Sequence, residues 1–143
     1  MDFKNLANQY KDELLHNVLP FWLQNSQDKE FGGYFTCMDR EGKVFDTDKF
    51  VWLQGREVWM FSMLYNKVEK RQEWLDCAVQ GGEFLKKYGH NGEYNWYFSL
   101  DRLGRPLVEP YNIFSYTFAT MAFGQLSLAT GNQEYADIAR KTF

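Results

Sequence analysis

Arg56 is the side chain in this sequence best placed to do chemistry. It stands in the run KFVWLQGREVWM, residues 49–60, which continues FSMLY to Tyr65; past Lys49, only Gln54, Arg56, Glu57 and Ser62 interrupt the large hydrophobes. A helix apolar on most sides is buried on most sides. A guanidinium keeps its charge, so inside such a helix it needs a carboxylate, an array of carbonyls, a water-filled cavity or a ligand. Two readings stand side by side: a structural ion pair, to Glu57 or to an acid elsewhere in the chain, and a ligand site. A fixed cation facing a sheltered cavity can hold a ligand through a negatively charged or oxygen-bearing group.

The depth of Arg56 favours a site. It lies about two turns into its helix, and a helical side chain leans back toward the helix N-terminus. Trp52, four residues earlier, shares its face. It reads as a stacking platform for a ring-shaped ligand or, more commonly for such a residue, as core packing. Trp59 and Phe61 point elsewhere around the helix and are expected in the core. Tyr111 follows Pro110 near the same mouth, and Ser115 and Tyr116 sit at matching depth in a later uncharged helix. All three offer hydroxyls to the cavity, although Ser115 can instead bond a backbone carbonyl. His16 is expected to be solvated or capping, and His90 to sit at a helix C-terminus where a cation is favourable. Asp39 and Asp101 read as turn residues, poor candidates for carboxylates paired across a cleft. No GxSxG, P-loop, GxGxxG, HExxH or EF-hand pattern occurs.

Composition narrows the partners. Hydrophobic residues make up 45% of the 143 residues and aromatic ones 19%, ample for a core, and aromatic rings also line sugar sites. A formal net charge of −3 leaves no basic stripe to neutralise phosphates, which argues against nucleic acid. The amphipathic start MDFKNLANQYKDELL is no secretory signal. Cys37 and Cys77 stand without CxxC or a histidine at ligand spacing, so no metal site and no disulfide framework is expected, and the thiols read as reduced in a cytoplasmic protein. From Tyr111 to Gln133 no residue is charged, yet Asn112, Ser115, Thr117, Thr120, Gln125, Ser127 and Thr130 make the stretch too polar for a membrane span. A helix buried among other helices fits it better.

The elements that position these residues alternate. Apolar spacing predicts an amphipathic helix over 3–19, a mostly apolar one over 50–66, an amphipathic one over 70–88, an uncharged one over 112–130 and a fifth from Asn132 still running at Phe143. The connections from surface to buried helix are long, 31–46 and 92–110, and each reads as a β-hairpin. Tyr34-Phe35-Thr36 followed by Asp39-Arg40-x-Gly42 echoes Tyr97-Phe98-Ser99 followed by Asp101-Arg102-x-Gly104. This internal repeat of surface helix, hairpin and buried helix is what a double ring of helices requires, with the hairpins at one functional end. Two and a half helix pairs do not close such a ring, so the chain is expected to be the N-terminal part of a larger single domain, with self-assembly the weaker alternative.

FGGYFTCMDREGKVFDTDKFVWLQGREVWMFSMLY resembles the N-terminal signature of the N-acylglucosamine 2-epimerase family, and a weaker likeness runs through EPYNIFSYTFATMAF to the end. Gly55 of Gln-Gly-Arg is more similar to the N-acetylglucosamine branch than to the cellobiose branch. The resemblance implies an all-α, (α/α)6-barrel fold, of which this would be the N-terminal portion. It implies interconversion of N-acetylglucosamine and N-acetylmannosamine by proton exchange at C2, with histidines of the C-terminal half moving the proton. Arg56 matches the family's arginine and would steady the enediolate; the Phe114–Tyr116 neighbourhood matches an aromatic or hydroxyl group of the site. No cofactor is required on this reading, ATP is an activator known in that branch, and the full-length protein is expected to be a homodimer. Aldose–ketose isomerisation, epimerisation of cellobiose or mannose, and a noncatalytic sugar-binding toroid are the alternatives. Residues 1–143 alone are expected to be inactive.

Overall fold

Asp2 starts the first helix by accepting the backbone N–H groups of Lys4 and Asn5 at 3.1 Å each. In the computed structural model, which describes residues 2–143, this helix α1 (Phe3–Glu13) passes through a π-helical turn at Leu14–Val18 into α2 (Leu19–Asn25). The helix therefore runs past the expected end at residue 19. Pro20 lacks an N–H and crowds the turn before it. The wider π turn, in which the Leu19 N–H reaches Leu14 O, absorbs that misfit. The extension brings Trp22 and Leu23 against the core.

The other helices fall within two residues of their expected bounds: α3 (Val51–Lys67), α4 (Gln72–Tyr88), α5 (Phe114–Thr130) and α6 (Gln133–Thr142). Both long connections fold as hairpins. In each, the turn aspartate accepts two backbone N–H groups, Asp39 from Glu41 and Lys43 and Asp101 from Leu103 and Arg105. The closing glycines, Gly42 and Gly104, adopt φ +86° and +89°, a conformation that other residues avoid. Hairpin 1 contributes β1 (Cys37–Met38) and β2 (Val44–Asp46), an antiparallel pair. Hairpin 2 contributes β4 (Ser99–Leu100) and β5 (Pro106–Val108), and its β4 also pairs with β3 (Lys49–Phe50), the strand that leads into α3.

Helices α3 and α5 lie side by side and run the same way. They touch at both ends: Gly55 and Trp52 meet Phe118 near the two N-termini, and Asn66 Nδ2 donates to Gln125 Oε1 at 3.0 Å near the two C-termini. A Cβ on Gly55 would sit 3.0 Å from the Phe118 backbone, so glycine there sets how closely the two helices approach. Outside them, α4 buries Trp74, Cys77, Ala78, Phe84 and Leu85 and leaves its charges to solvent. Helix α6 packs on α5 through Tyr135 and Ile138. No residue of α1 is buried, as a one-faced surface helix without a neighbour requires.

A buried ionic knot ties the second hairpin to the turn after α2 and to the strand before α3. Lys49, fully shielded from water, donates to Asp28 at 3.0 Å, to Gly32 O at 2.6 Å and to Arg102 O at 2.9 Å. Arg102 returns two bonds to Asp28 and one to Glu30. Burial alone would raise the Asp28 pKa, but the bonds from Arg102 and Lys49 outweigh it and hold the carboxyl at about 2. The strand before α3, the turn after α2 and the second hairpin are thereby fixed to one another, and with them the N-terminal end of α3.

Candidate functional site

Arg56 leaves α3 on the side that neither α4 nor α5 covers, and it is exposed. Among the described residues it forms no ion pair and no hydrogen bond; its guanidinium carbon stands 5.9 Å from the centroid of Phe118. The ring of Trp52 is 6.0 Å from the same Phe118. Trp52, Arg56 and Phe118 thus form one group across the α3–α5 seam, close to the hairpin end. The salt bridge to Glu57 that the sequence allowed does not form. Consecutive residues on a helix project about 100° apart, and Glu57 turns into the protein, where it is 7% exposed.

Burial pushes the Glu57 pKa up to about 8, only partly offset by Ser26, whose Oγ lies 2.5 Å away. Ser26 Oγ is also 2.7 Å from Trp22 O. One hydroxyl carries one hydrogen, so the arrangement is complete when a protonated Glu57 donates to Ser26 and Ser26 donates to the Trp22 carbonyl. Near neutral pH Glu57 then carries little charge and leaves the field of Arg56 unneutralised. Arg56, Glu57, Leu53, Trp59, Met60, Trp22 and Thr36 line an open cleft of about 420 Å³. Trp59, expected in the core, is half-buried and faces this cleft, whereas Phe61 is fully buried as expected.

The hydroxyl-bearing residues lie along the α5 side. Tyr111 is 70% exposed, and its ring rests on Phe98 at 4.7 Å, which in turn meets Phe50 at 5.6 Å. Tyr111, Tyr116, Pro110, Asn112 and Ile113 line a shallow hollow distinct from the Arg56 cleft. The Tyr116 hydroxyl is 3.4 Å from Asn95 Oδ1. Ser115 is buried, and among the described residues its Oγ bonds neither a backbone carbonyl nor another side chain. So the structure joins Trp52 to Arg56 and Tyr111 to Tyr116, in two adjoining groups at the end where α3 and α5 begin. Phe118 and Trp22, which complete the Arg56 group, were not singled out by sequence. The i,i+4 spacing of Trp52 and Arg56 was a signal; nothing local announces a partner 62 residues away.

His90 differs from the expected helix-end cation. Burial lowers its pKa; the ring stacks on Tyr94 at 4.8 Å and meets Trp96 at 4.8 Å, and its Nδ1 accepts the Gly92 N–H at 3.0 Å. A nitrogen that accepts is unprotonated, so His90 is a neutral clasp of the second loop. Both cysteines are free, with Cys77 buried. Among the described residues no group of histidine, cysteine or acidic side chains could hold a metal ion, and no helix is long and apolar enough to cross a membrane.

Comparison with known proteins gives this geometry a context. The sequence model of N-acylglucosamine 2-epimerase (GlcNAc 2-epimerase) matches residues 33–143. The chain is 45% identical to the N-acylglucosamine 2-epimerase of Mus musculus over 128 residues, which cover 87% of this chain and 30% of that protein. The human protein of the same name is 46% identical over 125 residues, covering 85% and 29%. Among solved structures, the cellobiose 2-epimerase of Bacillus thermoamylovorans superposes with a TM-score of 0.88 at 28% identity, over 97% of this chain and 36% of that one. A D-mannose isomerase structure shares the fold at 22% identity and a TM-score of 0.76, over 87% and 31% of the two chains. The chain thus spans about 30% of the length of the mouse relative, and its helices reproduce the N-terminal portion of an (α/α)6 barrel. The family model covers most of the chain and the mouse relative is 45% identical over 87% of it: the chain belongs to the N-acylglucosamine 2-epimerase family.

Proposed function

We propose that the whole protein carrying this segment is a sugar 2-epimerase, and specifically one that interconverts N-acetylglucosamine and N-acetylmannosamine. The observation that carries the reading is Arg56: a permanent cation at the hairpin end of α3 with no counter-ion among the described residues. Removing the C2 proton of an open-chain sugar places negative charge on the carbonyl oxygen. A fixed guanidinium beside that oxygen stabilises the enediolate and makes the C2 proton more acidic. Return of a proton to the other face of C2 inverts that carbon, with no net redox change. The groups that move the proton, histidines in the family resemblance, would lie outside residues 1–143. Within the chain, Phe118 lies 5.9 Å from the guanidinium carbon, and Tyr111 and Tyr116 offer stacking surface and hydroxyls at the mouth.

The N-acylated substrate is favoured over cellobiose by the relatives: 45% identity to the mouse N-acylglucosamine 2-epimerase against 26% to the cellobiose 2-epimerase of Bacteroides fragilis. A homodimer in the cytoplasm, independence of any cofactor and activation by ATP belong to the same proposal. Incubating the whole protein with N-acetylmannosamine, mannose and cellobiose in parallel tests it. Appearance of N-acetylglucosamine from the first, and little turnover of the others, is the expected outcome. Turnover of mannose or cellobiose alone would transfer the site to another sugar, and turnover of none would leave a binding toroid.

A further inference from the structure

Glu57 is the one acid among the residues that line the Arg56 cleft, and its carboxyl bonds Ser26 alone. The groups that face it come from three other elements. Ser26 closes α2, Tyr34 lies in the segment after that helix, and Cys77 belongs to α4; the last two both sense its charge. Burial pushes the tyrosine hydroxyl and the cysteine thiol above their ordinary values, so both stay neutral through pH 8. The Tyr34 hydroxyl is also committed to Cys77 O, at 2.7 Å. On its own helix the neighbouring Arg56 is permanently charged. Glu57 is therefore the group around this cleft whose charge changes near neutral pH.

Ser26 makes that change mechanical as well as electrostatic. Its Oγ lies 2.5 Å from Glu57 Oε1 and 2.7 Å from Trp22 O, with one hydrogen to give. While Glu57 is protonated, the acid donates to Ser26 and Ser26 donates to Trp22. Once Glu57 releases its proton to the water of the open cleft, it can only accept, and the hydroxyl must turn from Trp22 to the carboxylate. Trp22 O keeps the backbone N–H of Ser26 at 2.9 Å, so the helix end survives the change. Trp22 and Glu57 both line the cleft, so each end of this short chain borders the place where Arg56 works.

We propose that Glu57 gates proton transfer at C2: neutral, it leaves the Arg56 guanidinium free to hold the enediolate oxygen; ionised, it opposes that charge and re-aims Ser26, and so sets the alkaline limit of the reaction. An anion on the next residue competes with the enediolate for the same cation, and does so most where little water separates them. Glu57 is a positioning residue that acts through Arg56 and touches no reacting atom. The gate presupposes the 2-epimerase reading of this site, whichever sugar is turned over.

Infrared difference spectra between wild type and Glu57→Gln, taken with C2 exchange rates in D2O, test the gate on the whole protein. Wild type should show the C=O band of a protonated carboxylic acid that the variant lacks, and the band should fade as the pH passes through about 8. From pH 7 to pH 9.5 the exchange rate of Glu57→Gln divided by that of wild type should climb about tenfold, because an amide keeps its hydrogens and never ionises. Taking the ratio cancels the other groups that titrate, and a purely structural role would change it by one factor at every pH. In wild type alone, the band and the exchange rate should fall with a single midpoint. A carboxyl already ionised at pH 7, or a flat ratio in proteins that exchange, would overturn the gate and leave the role of Arg56 standing. No exchange by either protein from N-acetylmannosamine, mannose or cellobiose would instead overturn the epimerase reading, and the gate with it.

Discussion

Arg56 and Glu57 are neighbours in sequence with opposite fates, and the difference decides what the segment can do. Arg56 has Trp52, Leu53, Trp59 and Met60 at the helical spacings where an acid could pair with it, so its charge stays available. In the whole protein, Arg56→Lys should keep the fold and lower kcat by about 10²-fold, because an ammonium lacks the planar fork that meets an oxyanion. Near-normal turnover in steady-state assays would reduce Arg56 to a surface charge. Glu57 supplies a pH signature instead. Its carboxyl holds a proton in the folded chain up to about pH 8, but releases it near pH 4.5 when unfolded. Between those values the folded state binds more protons, so stability falls as pH rises. The melting temperature should therefore drop from pH 5 to pH 8, and Glu57→Gln should flatten that dependence.

At the scale of elements, close approach and a buried ionic knot set the geometry. Gly55→Ala would press a methyl group against the Phe118 backbone, 3.0 Å away, and should cost about 1–3 kcal/mol as α3 and α5 move apart. Because Phe118 also faces Arg56, calorimetry and kinetics should register the same substitution. Asp28→Asn would leave Lys49 buried without its counter-charge and should cost about 3–5 kcal/mol. With its pKa held at about 2 rather than 3.8, Asp28 adds stability above pH 4 that is lost as the pH falls through 2. Helix periods, hairpin turns and the repeat were legible because each is written within a few residues: Asp-Arg-x-Gly closes its own turn. The knot was not legible, since Lys49 finds Asp28 21 positions back and Asp28 finds Arg102 74 positions on. The true end of the first helix was hidden too, because nothing in the apolar spacing announces the π turn that carries it past Pro20.

At the scale of the whole molecule, the inner helices are covered on the sides where α4, α5 and α6 pack and bare elsewhere. Leu128 of α5 and Tyr10 of α1 are about seven-tenths exposed, at 70% and 71%. Apolar flanks of this kind call for a covering partner, and light scattering of the 143-residue chain should show self-association or aggregation; a cooperative, monomeric melt would show the array to be self-sufficient. The ring was legible from alternating burial and alternating connection length, and the place of Arg56 from its depth in α3. The group around it was not, because Trp22, which lines its cleft, stands 34 positions before Arg56 and Phe118 62 positions after it. What joins the three scales is the claim that Arg56 stabilises charge as a proton leaves C2 of a sugar. Solvent exchange reads that step without waiting for net turnover. In D2O, the whole protein with N-acetylmannosamine should place deuterium at C2, and Arg56→Lys should slow that incorporation by about 10²-fold. No deuterium at C2 with the wild-type protein, or equal incorporation by both proteins, would contradict the account.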